Sequence, residues 1–276
     1  MAGEAGYLLD NRQAQAGARF GALSTLFDPS TFRHVDDLGI EAGWRCWEVG
    51  AGGPSVPTWL AERVGPHGHV LATDIDVSWM AEPAVGGYEV RRHDVGTDAP
   101  PAPSFDLVHA RLVLVHVPRR VAALASMIAA LRPGGWLLLE DADPALQSLA
   151  CPDEHGPEQR LANELRRGFR TLLARRGADL GYGRTLPRLL RQAGLVDVRA
   201  DAFFPMAAPA CAVLEKATVE QIREQLVTGG LATDAQIDQH LANVAAGLLD
   251  LATAPMISAW GRRPAASQGG SWGGRR

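Results

Sequence analysis

Apolar residues at Leu8, Ala16, Phe20, Leu23 and Phe27 fall at helical spacing, so the N-terminal stretch is expected to bury one helical face until Asp28-Pro29 breaks the run. Ser30 or Thr31 then caps a second, short helix that Gly39 closes. From residue 44 the pattern changes. Short apolar runs predict strands over 44–49, 69–74, 87–92, 105–109 and 136–140, with helices over 55–64, 77–82 and 118–131 between them. Strands alternating with helices pair in parallel through right-handed crossovers. The strand ends that carry Glu48, Asp74, Asp94 and Arg111 therefore meet at one edge, where open α/β sheets bind ligands.

Beyond the fifth strand the pattern loosens. Asp141 to Gly156 reads as a loop, and Glu158 to Arg176 as a helix with Leu161, Leu165, Phe169, Leu172 and Leu173 on one face and arginines on the other. A helix over Leu186–Ala193, a strand over Val196–Phe203, helices over 210–228 and 233–250 and a last strand over Met256–Trp260 follow. The chain thus divides into an N-terminal helical lid (1–43), an α/β domain (44–266) with helical insertions near 145–180 and 208–250, and a Gly/Ser-rich tail (267–276).

The chemistry concentrates in Cys46-Trp-Glu-Val-Gly-Ala-Gly-Gly-Pro-Ser55 and, some twenty residues on, Leu71-Ala-Thr-Asp74. A glycine-rich turn lets the backbone approach a ligand closely, and an acid ending the next strand is placed for ribose hydroxyls. A dinucleotide fingerprint would need a third glycine where Ser55 stands. Glu48, two residues before Gly50, would repel a pyrophosphate and attract a sulfonium or ammonium.

The pattern Glu48-x-Gly50-x-Gly52 resembles motif I of class I S-adenosylmethionine-dependent methyltransferases. Three later segments agree: His93-Asp94-Val95, Ser104–Pro118, and Leu131–Glu140 with its Pro-Gly-Gly turn, a helix end running into a buried strand. The likeness is close over 44–141 and loose elsewhere. It implies a Rossmann-like class I methyltransferase fold: a mostly parallel seven-stranded sheet with helices on both faces, an antiparallel hairpin at its edge and a helical lid. It also implies S-adenosylmethionine as cofactor, with Glu48, Gly50, Ala51, Gly52 and Gly53 around its methionine end, Asp74 and Ile75 at the ribose, and Asp94 and Val95 at the adenine. Arg111 on the strand-four loop, and Tyr7, Arg12 and Arg19 on the lid, are further contacts it suggests. Gly53-Pro54 replaces the usual third small residue, and Asp76 stands two residues from Asp74, so the loop and the ribose acid depart slightly from the pattern.

Methyl transfer is an in-line displacement in which the protein mainly positions the reactants and excludes water. An acidic acceptor benefits from a base. His116 is the leading candidate, followed by Asp141 with its neighbours Glu140 and Asp143, while His155 reads as surface. Tyr182, Phe203, Phe204 and Met206 are candidates for an apolar substrate wall.

Composition narrows the acceptor. A net charge of −4 over 276 residues, with charged residues at 21%, argues against nucleic-acid backbone, and no apolar run is long enough for a membrane span. Three cysteines and eight histidines lack ligand spacing, so no metal is expected and a reducing cytoplasm is the default. The single lysine, Lys216, among abundant Arg, Ala and Gly suggests a GC-rich bacterial genome. The expected activity is N- or O-methylation of a small molecule, such as a natural-product intermediate of antibiotic biosynthesis, with a homodimer left open. The rivals are a non-methylating reaction on the same cofactor-binding fold, such as a cyclisation, and a non-catalytic binding partner.

Overall fold

In the computed structural model, which describes residues 8–9, 15–80 and 87–265, seven strands form one sheet. They are β1 (Arg45–Val49), β2 (His69–Asp74), β3 (Glu89–Arg92), β4 (Phe105–Arg111), β5 (Leu131–Ala142), β6 (Val196–Phe203) and β7 (Met256–Arg262). Their order is β3-β2-β1-β4-β5-β7-β6. The first five pair in parallel, and β7 inserts antiparallel between β5 and β6. The order reverses at β1 and β4, which opens a crevice beyond their C-terminal ends.

Side chains alternate across the sheet. On one face Cys46, Val70, Ala72, Leu107 and Leu138 pack on Val56, Leu60 and Val64 of α2 (Ser55–Val64) and on Phe32 and Val35 of α1 (Gln15–Asp37). On the other, Trp47, Val49, Leu71, Val108, Leu137 and Leu139 pack on Ala123, Leu124 and Met127 of α3 (Arg120–Ala130) and on Leu186 and Leu190 of α5 (Leu186–Gln192). The apolar runs of the central strands are what a sheet covered on both faces requires.

The helices α4 (Pro157–Arg175), α6 (Pro209–Gln221), α7 (Arg223–Thr228) and α8 (Asp234–Ala245) lie between β5 and β7 in the chain, outside the sheet layers, and are together called the cap. α6 lies along α1, and Leu26 and Phe27 of α1 join Ala150, Cys151, Ala162, Cys211 and Val244 in a buried cluster. The three cysteines are free thiols and buried, Cys46 in the sheet and the other two in that cluster. Among the described residues no helix is long and apolar enough to cross a membrane.

Four expectations change. α1 runs from Gln15 to Asp37 with Pro29 inside it, instead of breaking at Asp28-Pro29. An internal proline removes one backbone hydrogen bond, and side-chain ties from Asp28 and Thr31 to the sheet hold the helix across that point. The Pro-Gly-Gly turn is absorbed into β5, which already begins at Leu131, through a register shift opposite Phe105–Leu107 with Gly134 at φ 81°. Residues 77–80 form a turn, and the rest of the helix expected at 77–82 lies outside the described residues, as do Tyr7, Arg12 and the tail. The expected helix over 210–228 divides at Ile222.

The turn after β1 has no room for a side chain at its first glycine. Gly50 has φ 65°, and a Cβ there would stand 2.4 Å from Val113 Cγ2. Gly53 has open space around the corresponding position. Gly50→Ala is expected to cost about 2 kcal/mol or more of unfolding free energy in urea titrations, and Gly53→Ala less than about 0.5 kcal/mol.

Candidate functional site

The glycine turn and the end of β2 lock together. The Gly52 N–H donates to Asp74 Oδ2 at 3.0 Å, and the Asp76 N–H donates to Asp74 Oδ1 at 2.9 Å. The Ala51 N–H donates to the Thr73 carbonyl at 3.0 Å. Asp74 is 7% exposed. Burial lifts its pKa above the ordinary value, and the backbone N–H groups of Asp76, Gly52 and Ile75 partly offset that rise. Each carboxylate oxygen keeps a lone pair for a further donor. Ile75 beside it is exposed, an apolar surface next to a carboxylate. At the end of β3, Asp94 Oδ1 accepts from the Gly96 N–H at 2.8 Å and Val95 is buried.

α1 lies across this turn. Phe20 stands 3.1 Å from where a Gly52 Cβ would be, Gly17 abuts the Trp79 ring, and Ser24 Oγ meets Ser55 Oγ at 2.9 Å. Phe20 and Trp79 meet edge to face, with centroids 6.2 Å apart. Arg19 is buried on the same helix.

Beneath α1 a row of polar side chains crosses the sheet. His109, fully buried on β4, has Nδ1 2.6 Å from Glu48 Oε2 on β1 and Nε2 3.2 Å from Glu140 Oε2 on β5. The Ser258 hydroxyl of β7 donates to Glu140 Oε1 at 2.6 Å, and the Thr31 hydroxyl donates to Glu140 Oε2. Thr31 in turn accepts from Arg111 at 2.9 Å, and Arg111 pairs with Asp28 at 2.7 Å. His34 of α1 completes the row, with Nδ1 3.4 Å from Glu140 Oε1 and Nε2 2.9 Å from Asp201 Oδ1 on β6. Burial alone would lower the His109 pKa, but the flanking Glu48 and Glu140 carboxylates raise it to about 9. Burial would likewise raise Glu140, but the hydrogen bond from His109 and the nearby His34 ring hold it well below the usual carboxylate range.

This placement bears on the expected site residues. Gly50, Ala51, Gly52, Gly53, Asp74 and Ile75 sit together at the crevice. Glu48 points instead into the sheet, 2% exposed and bound to His109. Arg111 ties α1 down. His116 lies in the turn after β4; burial, reinforced by Arg19 and Arg120, lowers its pKa to about 4. Asp141 is buried under that turn, facing the Leu114 and Val115 N–H groups, and burial raises it to about 8. Asp143 pairs with Arg184, and His155 is exposed. Tyr182 is buried, whereas Phe203, Phe204 and Met206 are partly exposed. No motif in the sequence marks His34, His109 and Ser258 for this row, and Thr31, which reads there as a helix cap, binds Glu140 instead. Their signal is a polar residue inside an otherwise apolar strand or helix face. Among the described residues no three His, Cys, Asp or Glu side chains could hold a metal.

Residues 22–200 match a protein family described as "Methyltransferase domain". Phosphoethanolamine N-methyltransferase 1 of Triticum aestivum is 28% identical over 187 residues, covering 66% of this chain and 34% of that protein. Nocamycin O-methyltransferase of Saccharothrix syringae is 32% identical over 191 residues, covering 63% of this chain and 66% of that protein. The match thus spans about a third of the length of the wheat relative. Phosphoethanolamine N-methyltransferase 2 of Haemonchus contortus, solved with phosphomonomethylethanolamine and S-adenosylhomocysteine, superposes with a TM-score of 0.58 at 15% identity. That superposition covers 93% of this chain and 59% of the other, and at this identity it shows the shared fold.

The polar row has a pH signature. A histidine whose pKa is raised by folding contributes stability that is complete below its ordinary value of 6.5 and is lost as pH climbs through about 9. Between pH 6.5 and 9.5 the unfolding free energy is expected to fall by about 3 kcal/mol through His109. In His109→Gln, chemical denaturation across that range should give a lower and flatter profile.

Proposed function

The chain belongs to the methyltransferase-domain family, and on that premise we propose that it transfers the methyl group of S-adenosylmethionine to an N or O atom of a small organic acceptor, such as an intermediate of specialised metabolism. The observation that carries this reading is the cradle formed by the glycine turn, the buried Asp74 carboxylate and the exposed Ile75 side chain, with α1 laid across it. The residues fit the cofactor. Gly50 and Gly52 both take positive φ, which brings bare backbone to the crevice. Asp74 has lone pairs left for ribose hydroxyls, and Ile75 offers an apolar face to an adenine. The turn carries no lysine or arginine of the kind a phosphate calls for, which suits a nucleoside without phosphate.

When bound, the cofactor supplies a methyl group already activated on a sulfonium sulfur. The chain's own work is then to bind, orient and keep out water. Asp74 and the turn hold the nucleoside end, Asp94 and Val95 flank it, and Phe20 and Trp79 shield the opening from the α1 side. Glu48 acts through His109, fixing the floor of the turn from below.

The two candidate bases divide by environment. Burial and the nearby Arg19 and Arg120 keep the His116 ring neutral near pH 7. Its low basicity makes it a better orienting group than a proton sink, because general-base catalysis is strongest when the pKa lies near the working pH. Asp141 has the better-matched pKa but is buried against the backbone of the His116 turn, so its role is to position that turn. The N-methyltransferase and O-methyltransferase relatives support a small acceptor.

Calorimetric titration with S-adenosylmethionine and with NADH tests the reading: binding of the first alone is expected, and binding of neither overturns it. Asp74→Ala should weaken cofactor binding at least about tenfold with the fold intact, since it removes hydrogen bonds to a charged acceptor. With an acceptor in hand, His116→Ala should lower kcat while leaving cofactor affinity unchanged.

A further inference from the structure

The polar row ends on α1, the helix that covers the cradle. His34 is buried, and its two ring nitrogens face two carboxylates from different strands: Nε2 hydrogen-bonds Asp201 on β6 at 2.9 Å, and Nδ1 lies at ion-pair distance, 3.4 Å, from Glu140 on β5 without hydrogen-bond geometry. A neutral imidazole has one N–H and cannot serve two carboxylates, whereas the imidazolium has two. The remaining surroundings are mixed in charge. From α1 itself, Arg33 approaches His34 Nε2 at 3.0 Å and shares Asp201, while also meeting Asp37 at 3.5 Å. From β7, Trp260 packs against the His34 ring at 5.1 Å and Ser258 donates to Glu140. From β4, His109 and Arg111 act through Glu140 and Thr31. From α2, Arg63 pairs with Asp36 on the outer side of α1.

We propose that His34 is a positioning residue that latches α1 over the cofactor cradle through a bound proton, so that cofactor affinity falls as this proton is lost. The inference rests on reading the cradle as the S-adenosylmethionine site. Three features support it. The same helix carries both the latch and the cover: Phe20 and Gly17 lie at the glycine turn and Trp79, while Thr31 and His34 lie over β5. The latch is anchored through Glu140 to His109 and Glu48, so its far end is the strand that leads into the glycine turn. Burial opposes the charged form of His34, but Glu140 and Asp201 overcome it and raise its pKa above 6.5. Loss of the proton removes the positive charge that His34 places between the Glu140 and Asp201 carboxylates, and one of the two then faces a ring lone pair. α1 then loosens at its β5–β6 end as pH rises.

The test uses S-adenosylhomocysteine as a stable probe, titrated calorimetrically from pH 6 to 9.5 into the unaltered protein, His34→Gln and Asp201→Asn. The unaltered protein should lose affinity about tenfold across this range, following linkage. In His34→Gln the amide replaces one donor without titrating, so the dependence should flatten to the part owed to His109. Asp201 lies on an edge strand with its side chain 40% exposed, so its substitution spares the core. Removing that carboxylate should shift the midpoint of the affinity loss to lower pH, which a purely structural contact would not do. An identical pH profile in all three proteins overturns the latch. Absence of binding at every pH overturns the cofactor reading and the latch with it.

Discussion

A carboxylate buried inside a covered sheet costs several kcal/mol unless a cation answers it, and this sheet buries two of them, Glu48 and Glu140, on one face. His109 lies between them on the intervening strand with a ring nitrogen directed at each. That single imidazolium allows β1, β4 and β5 to pack side by side with acids on the same face. The remaining contacts follow from the need to satisfy Glu140, which draws a hydroxyl from β7, a hydroxyl from α1 and the ring of His34. The placement of α1 across the crevice is therefore dictated by electrostatics within the sheet as well as by apolar packing.

The parts legible in the sequence are local. The glycine turn, the acid at the end of β2 and the alternation of strands and helices are written in neighbouring residues, and the strand boundaries fall close to expectation except at β5, which begins at Leu131. The polar row is not local. Glu48 and His109 are 61 positions apart, and Thr31 and Glu140 are 109 apart. Nothing in the spacing of single residues shows that they meet. From the sequence alone Glu48 faces the ligand, since an acid two residues before a glycine turn has the right chemistry for a cation. In a strand, however, residue parity decides the face, and Glu48 shares the face of Cys46 that α2 and α1 cover. Pro29 shows the same limit: the rule that proline breaks a helix is local, and the ties from Asp28 and Thr31 that override it are not.

The candidate bases show how burial sorts chemically similar groups. His116 lies in the turn after β4 and Asp141 near the end of the neighbouring β5, yet burial drives their pKa values in opposite directions, to about 4 and about 8. In both cases the neutral form is favoured, as expected where a low-dielectric turn must hold no net charge. On the opposite face of the sheet the charged groups pair with one another instead, in the row that anchors α1. Asp74 and Asp94 are the acids at the strand ends that form the crevice.

The distribution of thiols has a practical consequence. Cys46 sits in the sheet under α2, while Cys151 and Cys211 sit beneath the cap with Leu26 and Phe27 of α1. Burial raises all three thiol pKa values, to about 11 for Cys151, so the reactive thiolate is suppressed while each site is closed. Alkylation by a water-soluble reagent therefore counts openings and not surface chemistry. Modification of Cys151 and Cys211 ahead of Cys46 would time the parting of cap and helix from a sheet still intact, giving the chain a built-in clock for its own breathing.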